Sequence, residues 1–295
     1  MNENIKYIKS ISEHKGWVNS LCLLHDNRFA SCSNDGNIKI FNKSTYECEI
    51  TIPIGKKFTL TSICQLDNND ILSSTNEKSI LAFSISGNKY SLAFINKSAH
   101  DGWITKAISL SNNRYATSSN DNTISVWSAA PYSEIPLTTL IKHKQYINSM
   151  LYVKNKDLLI SGSYDYSIIM WNATNYQSVL AIDGVYCCDR NSLMQIDEER
   201  IIVGGNNHIY IINISEGKVE QDVKDNIGFV NCFMKLKEDV IICGLYGEVY
   251  LYNIKLSKGE KVKSEHAKAV NDFLKIDNNV FISCSEDHNI NIYTY

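Results

Sequence analysis

One recurring turn constrains this chain more than any other feature. Short runs rich in Ile, Val, Tyr, Ser and Thr alternate in the manner of strands, grouped in threes and fours. Between the second and third run of each group sits a turn, filled in succession by Asp35, Glu77, Asp121, Asp165, Asn206, Tyr246 and Asp287. Successive turn positions lie 42, 44, 44, 41, 40 and 41 residues apart. A period of about 40–45 residues belongs to the four-stranded blades of a β-propeller. Asn34-Asp35-Gly36 and Tyr246-Gly247 supply residues suited to the positive φ of tight hairpin turns.

The chain therefore reads as one all-β domain over 1–295, a seven-bladed β-propeller of four-stranded antiparallel blades. The repeats fall at about 12–52, 53–95, 96–141, 142–182, 183–223, 224–263 and 264–295, with 4–11 completing the last. The seventh unit runs out at Tyr295, directly after its third strand. Ile5-Lys6-Tyr7-Ile8-Lys9-Ser10-Ile11 precedes His14 much as residues 91–95 precede His100, so this N-terminal strand is expected to supply the missing outer strand. Closure of that kind removes a free sheet edge.

Composition narrows the classes of function. With 44% hydrophobic and 21% charged residues, the chain has ample material for a packed core. Its net charge of −3 lacks the basic excess of a duplex binder, which argues against nucleic acid as a partner. No apolar run suits a membrane span or a signal peptide. Nine Cys are scattered singly, apart from Cys187-Cys188, with no CxxC pair. That usage points to reduced thiols in an intracellular protein, with the cytoplasm expected and the nucleus as the alternative.

Within this frame four units share a further pattern. A His opens the unit, Ser or Thr sits on its second strand, Asp fills the turn, and an aromatic ends the third strand. Unit one has His14, Ser31 or Ser33, Asp35 and Phe41, and unit three has His100, Thr117 or Ser119, Asp121 and Trp127. Unit four has His143, Ser161 or Ser163, Asp165 and Trp171, and unit seven has His266, Ser283 or Ser285, Asp287 and Tyr293. The His-to-Asp gaps are 21, 21, 22 and 21 residues. On these residues the chain resembles the WD-repeat family over essentially its whole length. The resemblance implies that each set forms a hydrogen-bonded network inside its blade. The chemistry agrees, since a carboxylate accepts from imidazole and a buried indole N–H needs an acceptor. Units two, five and six lack the His and the Asp. In unit five Arg190 sits near where a Val or Ile is expected.

A Ser/His/Asp set also invites a hydrolase reading. Here it recurs once per blade, and no GxSxG elbow accompanies it. No catalytic residue is assigned. The four His are spread one per blade, so no metal site is assigned, and no cofactor or small-molecule substrate is expected.

The resemblance also implies which residues face the narrow top surface around the central channel. They flank the first-strand Val or Ile, or immediately precede the turn residue. The candidates for binding a partner are Trp17, Asn19, Asn34, Thr61, Trp103, Thr105, Asn120, Tyr146, Asn148, Tyr164, Asp189, Phe229, Asn231, Asn271 and Glu286. This is a ring of aromatics and short amides with two acids and no Lys or Arg. Aromatics give a large contact area at low entropic cost, which suits peptide capture. The Lys-rich stretch at Lys255, Lys258, Lys261, Lys263 and Lys268 is read as protection of an outer strand edge. The expected function is a non-enzymatic scaffold docking a protein or peptide on the top face. The alternative is a substrate-recognition or adaptor subunit of a ubiquitin ligase or signalling assembly.

Overall fold

The computed structural model describes residues 5–187 and 189–295. Residues 1–4, including the first residue assigned above to the closing strand, and Cys188 lie outside the described residues. Among the described residues, twenty-eight strands form seven four-stranded antiparallel sheets. The first strands of successive blades are neighbours all the way round, with blade seven meeting blade one. The strand Lys6–Ile11 pairs antiparallel with Ile290–Thr294, the third strand of blade seven. The ring is thus closed by the start of the chain. No helix among the described residues is long and apolar enough to cross a membrane.

The turn that sets the period shares one positive-φ position in all seven blades, although it is one residue shorter in blades five and six. The residue after the turn position adopts positive φ at Gly36, Lys78, Asn122, Tyr166, Asn207, Gly247 and His288. Only two of the seven are Gly. The left-handed region costs roughly 1–2 kcal/mol for a residue with a Cβ. Where Asp precedes it, the carboxylate helps to offset that cost. Oδ1 of Asp35, Asp121, Asp165 and Asp287 accepts the backbone N–H two residues on, at 2.9–3.0 Å.

The core is divided into seven apolar slabs, one between each pair of neighbouring blades. Close approach of blades requires small residues on the second strands. A Cβ on Gly204 would lie 2.7 Å from the Val230 carbonyl oxygen, and one on Gly244 would lie 3.0 Å from the Val270 side chain. Gly162 stands in the same relation to Cys187, whose Sγ would be 2.5 Å from an added Cβ. Cys187 is fully buried and fills in blade five the place that Val230 and Val270 fill in blades six and seven.

That equivalence corrects the expected register of blade five. Cys187, not Arg190, is the inward residue, three positions earlier in the chain. Asp189 to Ser192 form an additional turn, closed by Ser192 N–H donating to the Asp189 carbonyl at 3.2 Å. The outer strand of blade five also runs further than the repeat length implies, from Lys218 to Phe229, so Phe229 reaches the top face at its end.

A top face of exposed aromatics over a stitched ring

The four His-Ser/Thr-Asp sets form the networks inside their blades. Each His Nδ1 donates to an Asp Oδ2 at 2.9 Å, in the pairs His14–Asp35, His100–Asp121, His143–Asp165 and His266–Asp287. Each Nε2 accepts a hydroxyl at 2.7–2.8 Å, from Ser31, Thr117, Ser161 and Ser283. The first of the two candidate hydroxyls therefore meets the His in every case. The second meets the turn, where Ser33, Ser119, Ser163 and Ser285 each accept the backbone N–H of the Asp at 3.1 Å. Trp127 and Trp171 donate their indole N–H to Thr117 and Ser161 at 2.8 and 3.0 Å. In blades one and seven Phe41 stacks on Phe29 and Tyr293 on Phe281, ring centroids 5.0 Å apart.

Electrostatics match this geometry. Burial works against each turn carboxylate, yet the bond and charge of its His and nearby N–H donors outweigh it. Asp287 is held at about 2, and Asp35, Asp121 and Asp165 are likewise lowered. Burial lowers His143 against the opposing pull of Asp165. All four His are almost inaccessible. Each network thus ties the turn of its blade to the second strand.

The short polar residues after the first-strand Val or Ile do a second structural job. Their side chains reach across to the next blade. Asn19 Nδ2 donates to the Leu60 carbonyl at 2.6 Å, Thr105 Oγ1 to that of Ile147 at 2.5 Å, and Asn148 Nδ2 to that of Cys187 at 2.9 Å. Asn271 Nδ2 donates to the Val18 carbonyl at 2.9 Å and so stitches blade seven to blade one. Thr61 bonds Ser74 within its own blade. Asn231 differs: it is buried, but among the described residues its side-chain amide has no hydrogen-bond partner.

The two sets of candidate top-face residues meet in space. The backbone N–H of Asn34, Asn120, Tyr164 and Glu286 donates to the carbonyl of Trp17, Trp103, Tyr146 and Ala269 respectively, at 2.9–3.1 Å. The aromatics of this tier are exposed: Trp17, Trp103, Tyr146 and Phe229, with Trp103 at 59%. Two residues outside the expected set join them. Tyr246, 70% exposed, occupies the turn position of blade six. Tyr186 precedes Cys187 as Tyr146 precedes Ile147, and its ring stacks on Tyr164 with centroids 5.6 Å apart. The repeat column could have revealed Tyr246, since an aromatic stands there where Asp is usual. Tyr186 was hidden by the misplaced register of blade five.

Two open depressions lie in this face. One is lined by Thr61, Trp103, Thr105, Asn120, Tyr146, Asn148, Tyr164, Asp189 and Arg190. The other, about 710 Å³, lies over blades five to seven and is lined by Tyr164, Asp189, Phe229, Asn231, Tyr246, Asn271 and Glu286 among others. Tyr164 and Asp189 belong to both, so the depressions adjoin. Trp17, Asn19 and Asn34 line neither. The face is not free of basic residues, since Arg190 lines the first depression and Lys261 the second. Lys261 pairs with Glu248 at 3.2 Å and Lys255 with Asp239 at 2.7 Å, so these two lysines are matched by acids. Burial raises the Glu286 carboxyl, and the charge of Asp189 adds to that rise.

Below the face the channel wall carries Lys106 and Asp272. Lys106 Nζ donates to Asn191 Oδ1, while Asp272 accepts from Ser20 Oγ and from Leu21 N–H. Burial raises Asp272 to about 6 and lowers Lys106. No group of His, Cys, Asp and Glu among the described residues is placed to hold a metal ion.

Three stretches, residues 5–42, 92–128 and 134–172, match the WD40 family, described as WD domain, G-beta repeat. A segment of 141 residues, 48% of the chain, is 23% identical to the 66 kDa stress protein of Physarum polycephalum. It covers 23% of that relative's length, so the chain spans under a quarter of the curated protein it matches.

Proposed function

Because the chain belongs to the WD-repeat family, we propose that it is a non-enzymatic scaffold docking a protein or peptide on its top face. WD-repeat propellers typically serve as protein-interaction scaffolds and are generally non-enzymatic. One observation carries the reading for this chain. Five large aromatics, Trp17, Trp103, Tyr146, Phe229 and Tyr246, stand exposed on one rim while the remaining polar tier beneath them is largely bonded into the ring. Exposed aromatics on a rigid, hydrogen-bonded base lose little entropy when a partner covers them. The cytoplasm remains the proposed setting, on the strength of the unpatterned cysteines.

Affinity capture with wild type and with the Trp17→Ala/Trp103→Ala variant tests the proposal. The exposed positions predict an unchanged melting curve and the loss of a defined set of partners. An identical set of partners from the folded variant removes the basis for docking at this face.

A further inference from the structure

Asn231 and Glu286 depart from the pattern of their neighbours in the same way. The residues equivalent to Asn231 in blades one, three, four and seven bond the next blade. In blade six that bond is made by Cys232 Sγ, which donates to the Val270 carbonyl at 3.4 Å. The Asn231 side chain makes no hydrogen bond among the described residues and lines the open depression over blades five to seven, where its amide is left for water or a partner to meet. Glu286 is half-buried, and among the described residues its carboxylate makes no hydrogen bond or ion pair. Lys268 and Arg190 influence its charge, but neither pairs with it. Both residues line the depression over blades five to seven, together with Asp189 and the exposed rings of Phe229 and Tyr246.

We infer that this depression receives an arginine side chain of the docked partner, a reading that rests on top-face docking as proposed above. Three residues with acceptor groups line it: Glu286, Asn231 and Asp189, the last already accepting the Arg190 backbone N–H through Oδ1. Guanidinium presents five N–H donors in a plane, so it can use several acceptors at once while its faces lie on aromatic rings. A lysine ammonium is a compact point charge and matches the flat aromatic walls less well. Burial raises the Glu286 carboxyl and the charge of Asp189 adds to it, against the opposing pull of Lys268 and Arg190, so a further cation placed there would be favoured.

The probe is Nα-acetyl-arginine amide, titrated into isotopically labelled full-length protein and followed by NMR shifts. The neutral citrulline analogue and the lysine analogue are run beside it. Saturable arginine binding is expected, with citrulline about tenfold weaker or more, because it keeps the shape and loses the charge. Glu286→Gln is expected to weaken arginine binding about tenfold, and Asn231→Ala several-fold, each with an unchanged melting temperature. Thr117→Val is the control: it removes the hydroxyl at the centre of the blade-three network, so it lowers the melting temperature and leaves arginine binding intact. Equal binding of arginine and citrulline, equal binding of arginine and lysine, or indifference to Glu286→Gln would each overturn the assignment. If the arginine preference is absent while Trp17→Ala/Trp103→Ala still strips partners, the arginine site falls and docking stands. If neither effect appears, both fall.

Discussion

Blades three and five follow the same four-strand plan and hold their turns by different physics. In blade three, Thr117 sits at the centre of a polar network. It donates to His100, accepts from Trp127, and so ties the third strand to the turn at Asp121. In blade five the equivalent residue is Val203, the same shape without the hydroxyl, packed in one apolar slab with buried Leu193, Ile201, Tyr210 and Ile212. Burial of aliphatic side chains holds that blade together, and burial is indifferent to the path of the connecting loops. A polar network is directional and ties the turn to one geometry. The difference shows on the top face. Blade three keeps the standard turn, whereas blade five inserts Asp189 to Ser192, and blade six, also without a network, carries Tyr246 in its turn. Much of the lining of the larger depression comes from these two blades.

The largest expected effect comes from blade seven, which has a complete network but takes its outer strand from the chain start. Deleting residues 1–11 tests whether a network alone can hold a blade. Exposure of the third-strand edge is expected to abolish soluble monomer or to lower the melting temperature severely. An unchanged melting curve would show the network to be sufficient.

A reciprocal exchange addresses blades three and five directly. Thr117→Val leaves His100 Nε2 and the Trp127 indole without their partner and is expected to cost about 2–3 kcal/mol by chemical denaturation. Val203→Thr buries a hydroxyl with no imidazole to receive it and is expected to cost about 1–2 kcal/mol. If Val203→Thr were neutral, blade five would not be the apolar counterpart described above.

Acid separates the same blades more gently. The turn carboxylates are lowered in the folded chain relative to an ordinary value of about 3.9, so their stabilisation is present above that value. It is lost as pH falls toward the folded value, about 2 for Asp287. His143, lowered by burial, acts in the same sense, because protonating it costs more in the fold than in the open chain. Hydrogen exchange at about pH 3 should therefore show protection falling in blades one, three, four and seven relative to blade five. Uniform protection across blades would contradict the comparison.

The repeat arithmetic was sufficient for the number of blades, the closing strand and the four networks, because each rests on residues at fixed separations along the chain. A His just before the first strand and an Asp in the turn after the second, about 21 residues apart, meet once those two strands pair. The positive φ after the turn was legible only at Gly36 and Gly247; Lys78, Tyr166 and His288 adopt it because the strands on either side demand it. Register in blade five was not legible. Nothing local says that Cys187 rather than Arg190 faces inward. That choice is made by Gly162 on the preceding blade, which leaves room for one small side chain.

The candidate site divides in the same manner. The sequence by itself marked the positions one residue from a repeating Val or Ile in the blades whose register was legible, and it missed Tyr186 in blade five. Only the tertiary structure decided which of them are available to a partner. Asn19, Thr105, Asn148 and Asn271 are engaged by a neighbouring blade and Asn231 is not, although all five positions look alike along the chain. Hydrogen-bond satisfaction depends on atoms some 40 to 250 residues away, and no local pattern records where those atoms come to rest.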